Sequence, residues 1–366
     1  MRKTLLYCAL LYGCIITSTV KAQVWEPVGN STGISSGGVG RLTLQNDAND
    51  NLYVGYYDLD VMKGSVQKFN GTNWEHVGGQ GMTSDYTLFN SLSVSSQGTP
   101  YFLNQAGYPN SGHEARVFQN GTWTALPKVT NEQINYSTST FSANDVLFAS
   151  NGENGGTVKK LVNGEWVQVG NTGFAGGVPT FIDMASGSDG KVYVSFNTNS
   201  AVHVYVNDEN ASTNDQWQPV GGVADLGEAA TSEFYNSSLT IDQNNHIYIA
   251  YVSKTQGGNK LNVKKYDGTS WKQLGAENFS QGRVQHISIA VGANNIVYVA
   301  ASNWENDNVL KNYVLAYDEE SNSWNQTGTG FASTGEGTFN SLEVDSEGNL
   351  YLAFSDSALG KLSVKN

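Results

Sequence analysis

The chain has 366 residues, of which 33 are acidic and 20 are basic, so its formal net charge is −13. Its 41 glycines, 6 prolines and 19 tyrosines are typical of a β-rich protein with many tight turns. This acidic balance disfavours nucleic acid and anionic lipid as partners.

The first predicted element is a signal peptide over residues 1–22. Arg2 and Lys3 precede an apolar run, and the segment ends at the small residue Ala22. Such a pattern is typical of a cleavable export signal and not of a membrane span. We therefore expect an exported protein, in the periplasm, on the surface of a Gram-negative bacterium or secreted, whose mature chain is not inserted in the membrane. Lipoprotein anchoring through Cys14 is the alternative.

The remaining chain, residues 23–366, is predicted to be a single domain without a thiol. Both cysteines, Cys8 and Cys14, lie within the signal peptide. This excludes a disulfide, a zinc–thiolate site and a cysteine nucleophile from the mature domain. An exported domain without disulfides takes its stability from its core, and a chain of this length can bury a large one.

The domain consists of repeats that are marked by tryptophan. A Trp that leads a short strand recurs at Trp25, Trp74, Trp123, Trp166, Trp217, Trp271 and Trp324. Each interval contains a strand, a tight turn and a second strand, most clearly over residues 341–354, and then a third strand that usually ends in Asn-Gly or Asp-Gly. Alternating apolar and polar residues indicate half-buried strands, and the Gly dipeptides favour two-residue hairpin turns. Each repeat therefore predicts four antiparallel strands, A to D in chain order, with strand D at the Trp.

These repeats predict an all-β fold, a seven-bladed β-propeller of four-stranded antiparallel blades. A four-stranded sheet cannot bury both faces alone, whereas a ring of sheets can. The domain begins with a strand D at Trp25 and ends with a strand C over residues 361–365. We therefore expect residues 24–29 to complete the blade that begins at Ser341, which closes the ring and removes its exposed edges.

The repeat, Trp-x-x-Val-Gly followed by Ser-Leu-x-Val-Asp-x-x-Gly-x-x-Tyr-Val, resembles that of secreted and surface propeller proteins of Gram-negative bacteria, of the Bacteroidetes type. The resemblance covers the whole of residues 23–366. It implies a propeller and export, and it implies no single activity. The chain departs from the repeat at Pro127, at Asn144-Asp145 and in the long hairpin of residues 207–216.

The loops of a propeller fall on two rims, and strand A of each blade lines the central channel. The short-turn rim carries the A-to-B and C-to-D turns, which here are rich in Asn, Asp and Gly. The long-loop rim carries the D-to-A and B-to-C loops, where binding groups concentrate over a rigid scaffold, so we predict the site there. One position of the D-to-A loops carries phenylalanines that we interpret as packing residues: Phe174, Phe279 and Phe331.

Aromatic and charged side chains near the long-loop rim are the candidate site residues. Aromatic faces beside carboxylates suit sugar rings, which offer C–H faces and hydroxyl donors. Trp304 is singled out because it lies outside the tryptophan series. Arg41, Arg116 and Arg283 are the arginines of the mature domain. Their convergence at the channel mouth would bind a carboxylate or sulfate, and pairing with nearby carboxylates is the alternative. The full set is Trp304, Arg283, Arg41, Arg116, Tyr86, Tyr108, Tyr235, Asp58, Glu233 and His286.

The spacing of ligand-type residues predicts no cofactor, and Ca²⁺ is the alternative. The histidines show no His-x-His or His-x-x-His spacing, which disfavours a zinc site. Asp58-Leu-Asp60 and Glu305-Asn-Asp-Asn308 offer oxygen ligands of the kind that Ca²⁺ prefers, and acidic loops of this sort are usually only solvated.

No catalytic motif is recognisable, and three functions are compatible with the sequence. The first is a non-catalytic, monomeric binding module of the cell envelope that holds a glycan or an envelope protein on the long-loop rim; the evenness of the repeats favours it. The alternative is a carbohydrate-active enzyme of the glycoside hydrolase, sialidase or polysaccharide lyase type, with its site at the channel mouth. The third is a structural scaffold in a protein complex. The fold alone does not decide among them.

Overall fold

The computed structural model describes residues 24–107, 112–230, 236–254, 259–304 and 309–366. Its strands form seven antiparallel sheets arranged as the blades of a ring, which confirms the predicted all-β propeller. Two short 3₁₀ turns, Glu153–Gly155 and Val220–Gly222, interrupt this pattern. Within the described ranges, no helix is long and apolar enough to cross a membrane.

The strands follow one another in the sheets in chain order, with strand A of each blade innermost. Blades one to three contain β1 (Val39–Asn46), β2 (Leu52–Asp58), β3 (Lys63–Phe69), β4 (Trp74–His76), β5 (Thr87–Val94), β6 (Pro100–Ala106), β7 (His113–Gln119), β8 (Thr122–Ala125), β9 (Ser137–Phe141), β10 (Leu147–Asn151), β11 (Thr157–Val162) and β12 (Glu165–Gln168). Blades four and five contain β13 (Thr180–Ser186), β14 (Lys191–Thr198), β15 (Ala201–Asp208), β16 (Gln218–Pro219), β17 (Ser237–Ile241), β18 (Ile247–Ser253), β19 (Lys260–Tyr266) and β20 (Trp271–Gln273). Blades six and seven contain β21 (Arg283–Val291), β22 (Val297–Trp304), β23 (Leu310–Asp318), β24 (Ser323–Thr327), β25 (Gly337–Val344), β26 (Leu350–Asp356) and β27 (Lys361–Lys365).

The ring closes in blade seven through the first described residues of the chain. The N–H of Glu26 donates to the carbonyl of Asn366 at 3.0 Å, and the N–H of Val28 donates to the carbonyl of Val364 at 2.9 Å. Pro27 is the antiparallel bridge partner of Lys365. The N-terminal segment is thus the outer strand of a blade whose other three strands are C-terminal, as the sequence predicted.

The repeated tryptophans tie each blade to the one before it. The indole Nε1–H donates to a backbone carbonyl at or just after the end of strand D of the preceding blade, at 2.7 to 3.3 Å, for Trp74, Trp123, Trp166, Trp217, Trp271 and Trp324. Trp25 is buried, but its Nε1 has no hydrogen-bond partner among the described residues. The tryptophan period in the sequence therefore reports contacts between neighbouring blades, in addition to ring contacts within a blade such as that of Trp74 with Phe69 at 5.5 Å.

The Ser and Asp of the repeat also have structural roles. The hydroxyl of Ser341 accepts a hydrogen bond from the N–H of Leu44 in the neighbouring blade at 3.0 Å, and Ser288 accepts one from Leu342 at 3.0 Å. Asp345 accepts the N–H of Asn349 across the tight turn and the hydroxyl of Tyr351 at 3.0 Å. These side chains link neighbouring inner strands and hold the short turns, and the serine hydroxyls that accept these N–H groups keep their own O–H as a donor.

Candidate functional site

The start of strand A carries an irregularity in most blades. The pairing of strand A with strand B shifts register at this point in blades one, two, four, six and seven, which is the signature of a β-bulge. The residue at this position has a left-handed backbone in every blade but the fifth, although none of these residues is a glycine. We call the set the mouth collar: Arg41, Phe89, Tyr136, Phe181, Asn236, His286 and Phe339.

The positive φ angles of the collar are unusual for bulky side chains. Phe89 has φ 46°, Phe181 has φ 51° and Phe339 has φ 56°. Such conformations cost free energy for a residue with a branched or aromatic side chain, and they concentrate at functional sites. A bulge turns the side chain away from its regular direction in the sheet. Because the collar directly follows the D-to-A loops, it lies at the long-loop rim.

Neighbouring collar side chains pack against one another along one half of the mouth. The guanidinium of Arg41 lies 4.0 Å from the centre of the Phe89 ring. The rings of Phe89 and Tyr136 are 4.8 Å apart, and those of Tyr136 and Phe181 are also 4.8 Å apart. The result is a continuous row of one cation and three aromatic rings across blades one to four.

The collar opens into the central channel, a cavity of about 410 Å³. Its walls are the strands A of all blades, and its polar lining includes Thr43, Ser91, Thr138, Ser139, Ser238, Ser288 and Ser341. Arg41, Phe89, Tyr136 and Phe181 line the same cavity. Aromatic faces above a hydroxyl-lined cavity match the amphipathic faces of a sugar ring.

Two carboxyl groups within the channel have raised pKa values. Burial raises the pKa of Glu343 to about 8, and the amide of Gln45 donates to this side chain at 2.9 Å. Burial also raises the pKa of Asp183 to about 6, although the N–H groups of Met184 and Leu239, both at 2.9 Å, act in the opposite direction. At neutral pH, Glu343 is therefore mostly protonated and can donate a proton or a hydrogen bond.

The predicted arginines occupy different places. Arg41 belongs to the collar, and no carboxylate of the described residues lies within 4.0 Å of its guanidinium. Its Nη1 is buried and has no hydrogen-bond partner among those residues. Arg116 lies on β7, the third strand from the channel, and pairs with Glu114 at 3.5 Å. Arg283 is exposed at the start of β21.

Arg283 and Trp304 lie together, whereas His286 is part of the collar. Arg283 is the cross-strand partner of Trp304, and its guanidinium is 5.8 Å from the centre of the indole. His286 is buried and packs edge-on against Phe339 at 4.9 Å. Burial lowers the pKa of His286 to about 4, so this side chain is neutral at physiological pH.

Asp58 is buried, and donors of the protein surround its carboxylate. Ser65 donates to it at 3.1 Å, Gln80 at 2.8 Å and the N–H of Asp60 at 3.2 Å. These contacts describe a carboxylate that holds the B-to-C loop of blade one. No group of three or more His, Cys, Asp or Glu side chains that could hold a metal occurs in the described part of the chain.

The other predicted site residues divide into one exposed side chain and several outside the described ranges. Tyr86 is 43% exposed on the D-to-A loop of blade two. Tyr108, Glu233 and Tyr235 lie outside the described residues, as does the acidic segment 305–308.

Sequence reasoning missed the aromatic part of the collar. A signal was present, since the tripeptide Phe-Asn-Ser occurs at Phe89 and again at Phe339, two residues before the repeated Ser. The left-handed backbone and the bulge that direct these rings to the mouth leave no pattern in the alternation of apolar and polar residues.

Comparisons with known proteins give the fold alone. No protein-family profile and no curated protein matches this chain. Among solved structures, an ulvan lyase of a polysaccharide lyase family, bound to a saccharide, is 12% identical, with a TM-score of 0.59 over 91% of this chain and 94% of that one. YCF48 bound to the D1 peptide is 13% identical, with a TM-score of 0.57 over 94% and 96%. The SapL1 lectin in complex with α-methyl fucoside is 14% identical, with a TM-score of 0.53 over 81% and 97%.

Proposed function

We propose that the protein is a non-catalytic binding module of the cell envelope that holds a glycan at the channel mouth. The row formed by Arg41, Phe89, Tyr136 and Phe181, above a channel lined by hydroxyl groups, carries this proposal. Sugar rings stack their C–H faces on aromatic rings and exchange hydrogen bonds with hydroxyl groups. Arg41, which lacks a carboxylate partner among the described residues, favours a glycan that carries a carboxylate or sulfate.

Propellers of similar fold support a glycan or a protein as the partner class. The ulvan lyase structure holds a saccharide, the SapL1 structure holds a methyl fucoside, and the YCF48 structure holds a peptide. The collar favours the glycan, because its aromatic row lines the same cavity as the hydroxyl groups of the channel. If no glycan binds, we propose instead that the surrounding loops bind a protein partner.

A carbohydrate-active enzyme is the second candidate, and the channel carboxyls are the observation in its favour. Glu343, with a pKa of about 8, holds a proton that it could transfer at neutral pH, and Asp183 has a pKa of about 6. Pairs of acids with separated pKa values are typical of acid–base catalysis. Asp183 also accepts hydrogen bonds from two backbone N–H groups, which gives it a structural role and favours the binding module.

We also propose that residues 1–22 direct export to the periplasm, the cell surface or the medium, and that the mature protein is a monomer. The basic and apolar pattern before Ala22 supports export. Protein recovered from outside the inner membrane should begin at Gln23, and N-terminal sequencing tests this. An intact Met1 would contradict it.

The glycan proposal is tested by binding to an array that includes uronic acids and sulfated sugars, with release of products measured in parallel. Arg41→Gln should weaken binding of acidic glycans by about tenfold or more, since it removes the cation of the collar. Tyr136→Leu should weaken binding of neutral and acidic glycans alike, because it breaks the aromatic row.

Arg116→Gln is the matched control, because Arg116 already has a carboxylate partner on the third strand from the channel. It should bind glycans like the unchanged protein. Equal binding by Arg41→Gln and Arg116→Gln would overturn the assignment of Arg41. No binding to any glycan would favour a protein partner, and product release that is lost in Glu343→Gln would favour the enzyme.

A further inference from the structure

One exposed aromatic ring stands at the edge of the mouth, outside the channel. Of the aromatic side chains that the structure describes, Tyr86 alone is exposed, and all the others are buried or half-buried. Tyr86 lies three residues before Phe89 of the collar. Because an extended chain rises by at most about 3.6 Å per residue, the backbones of these two residues are within about 11 Å of each other. The exposed ring is therefore a neighbour of the collar.

Tyr57 connects this ring with the cation of the collar. It pairs across the sheet with Gly40, the residue before Arg41. Burial raises the pKa of Tyr57, and the charges of Tyr86 and Asp85 raise it further. The charge of Arg41 lowers the same pKa, so all three side chains lie around this phenol.

The loop that carries Tyr86 is held in shape by its own hydrogen bonds. The hydroxyl of the buried Thr83 accepts the N–H of Gly64 at 2.8 Å and lies 3.0 Å from the hydroxyl of Thr87, which is also buried. Thr83 donates in turn to the carbonyl of Asp85 at 3.0 Å. The carboxylate of Asp85 accepts the N–H of Tyr86 at 2.8 Å. The ring is thus presented on a preformed loop, which lowers the entropy cost of binding a ligand on it.

Met62 adds an exposed apolar surface next to Tyr57. Its side chain is 44% exposed, and its Sδ accepts a hydrogen bond from the Tyr57 hydroxyl at 3.5 Å. We call Tyr57, Met62 and Tyr86 the outer platform, and none of them lines the channel cavity.

The charges at the two ends of this surface differ. Asp85 places a carboxylate beside Tyr86, and no basic side chain of the described residues lies within 4.0 Å of that carboxylate. Arg41 supplies the cation of the collar. An anionic group is therefore favoured at the collar and disfavoured at the outer platform.

We propose that the mouth binds a glycan chain in which acidic and neutral sugars alternate, and not only a single terminal sugar; this inference rests on the glycan function proposed above. The acidic unit lies at Arg41, and a neutral unit stacks on Tyr86. Stacking of a C–H face on an aromatic ring needs no charge, whereas a second acidic unit at this place would be repelled by Asp85. Since the outer platform lies outside the channel cavity, the sugar that stacks there is a different unit from one that enters the channel.

Calorimetry with oligosaccharides of defined length tests the proposal on the whole protein, with NMR for the monosaccharide. The alternating probes are hyaluronan, chondroitin and heparosan oligosaccharides of two, four and six units. Glucuronic acid is the single-sugar probe, and oligogalacturonides of the same lengths are the all-acidic probes. We expect at least one alternating series to bind, at four units, at least about tenfold more tightly than glucuronic acid and than the all-acidic probe of equal length. No gain with length, or tighter binding of the all-acidic series, would overturn the proposal.

Two variants locate the neutral unit. Tyr86→Ala should weaken binding of the four-unit alternating probe about tenfold and leave binding of glucuronic acid unchanged, because the single sugar occupies only the collar. Asp85→Asn keeps an acceptor for the N–H of Tyr86 and should strengthen oligogalacturonide binding several-fold, since it removes the repelling charge.

Val178→Ala is the matched control, because it shortens another exposed apolar side chain of the long-loop rim, on the D-to-A loop of blade four. It should bind every probe like the unchanged protein. Equal binding of the four-unit probe by folded Tyr86→Ala and Val178→Ala proteins would contradict the assignment of Tyr86. Unchanged oligogalacturonide binding in Asp85→Asn would contradict the alternation of charge.

Arg41→Gln separates this proposal from the function of the mouth. It should weaken binding of every acidic probe, including glucuronic acid, whereas Tyr86→Ala should affect only the longer probes. If Arg41→Gln weakens binding and Tyr86→Ala does not, the mouth binds an acidic sugar and the outer platform is not part of the site. If the unchanged protein binds none of the probes, both proposals are wrong.

Discussion

At the scale of single residues, the protein holds several side chains in backbone conformations or protonation states that are unfavourable for their residue types. The collar holds bulky side chains in left-handed conformations, and the channel holds a carboxyl group that is protonated at neutral pH. Each of these costs free energy that the surrounding ring must supply. All of them lie along one axis, from the long-loop rim into the channel, which is why we place the function there.

Glu343 should make stability depend on pH in a definite direction. Its folded pKa of about 8 lies above the ordinary value of 4.5, so the folded state binds more protons than the unfolded state between these values. The free energy of unfolding therefore falls as pH rises through this window. Glu343→Gln keeps an acceptor for Gln45. At pH 8.5 this substitution should raise the free energy of unfolding by about 1–3 kcal/mol, which corresponds to a rise of a few degrees in the melting temperature.

At pH 4.5 the same substitution should leave the melting temperature nearly unchanged, because the unaltered carboxyl is then protonated in the folded protein. Differential scanning calorimetry at the two pH values measures both effects. An equal change at both pH values would show that Glu343 is not a buried, protonated group.

Only some of these site residues could be predicted from the sequence. Arg41 was predicted as a site residue because the mature domain has only three arginines, and His286 because it lies at the head of a strand A, within reach of the long-loop rim. Phe89, Phe181 and Glu343 were not, because an aromatic or a carboxylate in an alternating strand looks like any half-buried strand residue. The face of the sheet to which a side chain points after a bulge depends on how the strand pairs with its neighbour. The local sequence does not contain this information.

At the scale of elements, the blade is a unit that is completed by its neighbour. The tryptophan of one strand D donates to the backbone of the preceding blade, and the serine of one strand A accepts from the next. The sequence predicted the four strands of each blade because periodicity and turn residues are local. It did not predict the contacts between blades, although the repeated Trp and Ser were visible, because the partners are about fifty positions away.

The hydrogen bond of the tryptophans can be measured against an internal control. Trp217 and Trp25 are both nearly fully buried, with 4% and 7% exposure, but Trp217 donates to the carbonyl of Val169 at 3.3 Å, whereas Trp25 has no acceptor among the described residues. Trp217→Phe should therefore lower the free energy of unfolding by about 1 kcal/mol more than Trp25→Phe, because it leaves the carbonyl of Val169 without this hydrogen-bond donor. Denaturant unfolding measures the difference, and equal losses would show that the indole hydrogen bonds add nothing.

At the scale of the whole molecule, the ring depends on a short segment at its beginning. Residues 24–29 supply the outer strand of blade seven, with Trp25 and Val28 buried in the cores on either side of it. The sequence predicted this closure because the count of strands left a single strand D at the beginning and a blade of only three strands at the end.

Removal of residues 24–29 should lower the melting temperature by about 10 °C or more, because it exposes the edge of β27 and removes two buried side chains. Glu26→Ala is the matched control in the same segment, since Glu26 is exposed and acts through its backbone. Its melting temperature should equal that of the unchanged protein. An unaltered melt after the deletion would mean that the ring is stable without this strand.

The closure also determines the orientation of the channel mouth when the protein is tethered through one of its termini. Strand C of blade seven ends, and the N-terminal strand begins, at the short-turn rim, where Glu26 and Asn366 pair. A tether at either terminus therefore leaves from the side opposite the collar. Immobilised by one end on a bead, a sensor chip or a carrier protein, the molecule would present its channel mouth outwards, and the choice of terminus would make no difference to what the mouth can reach.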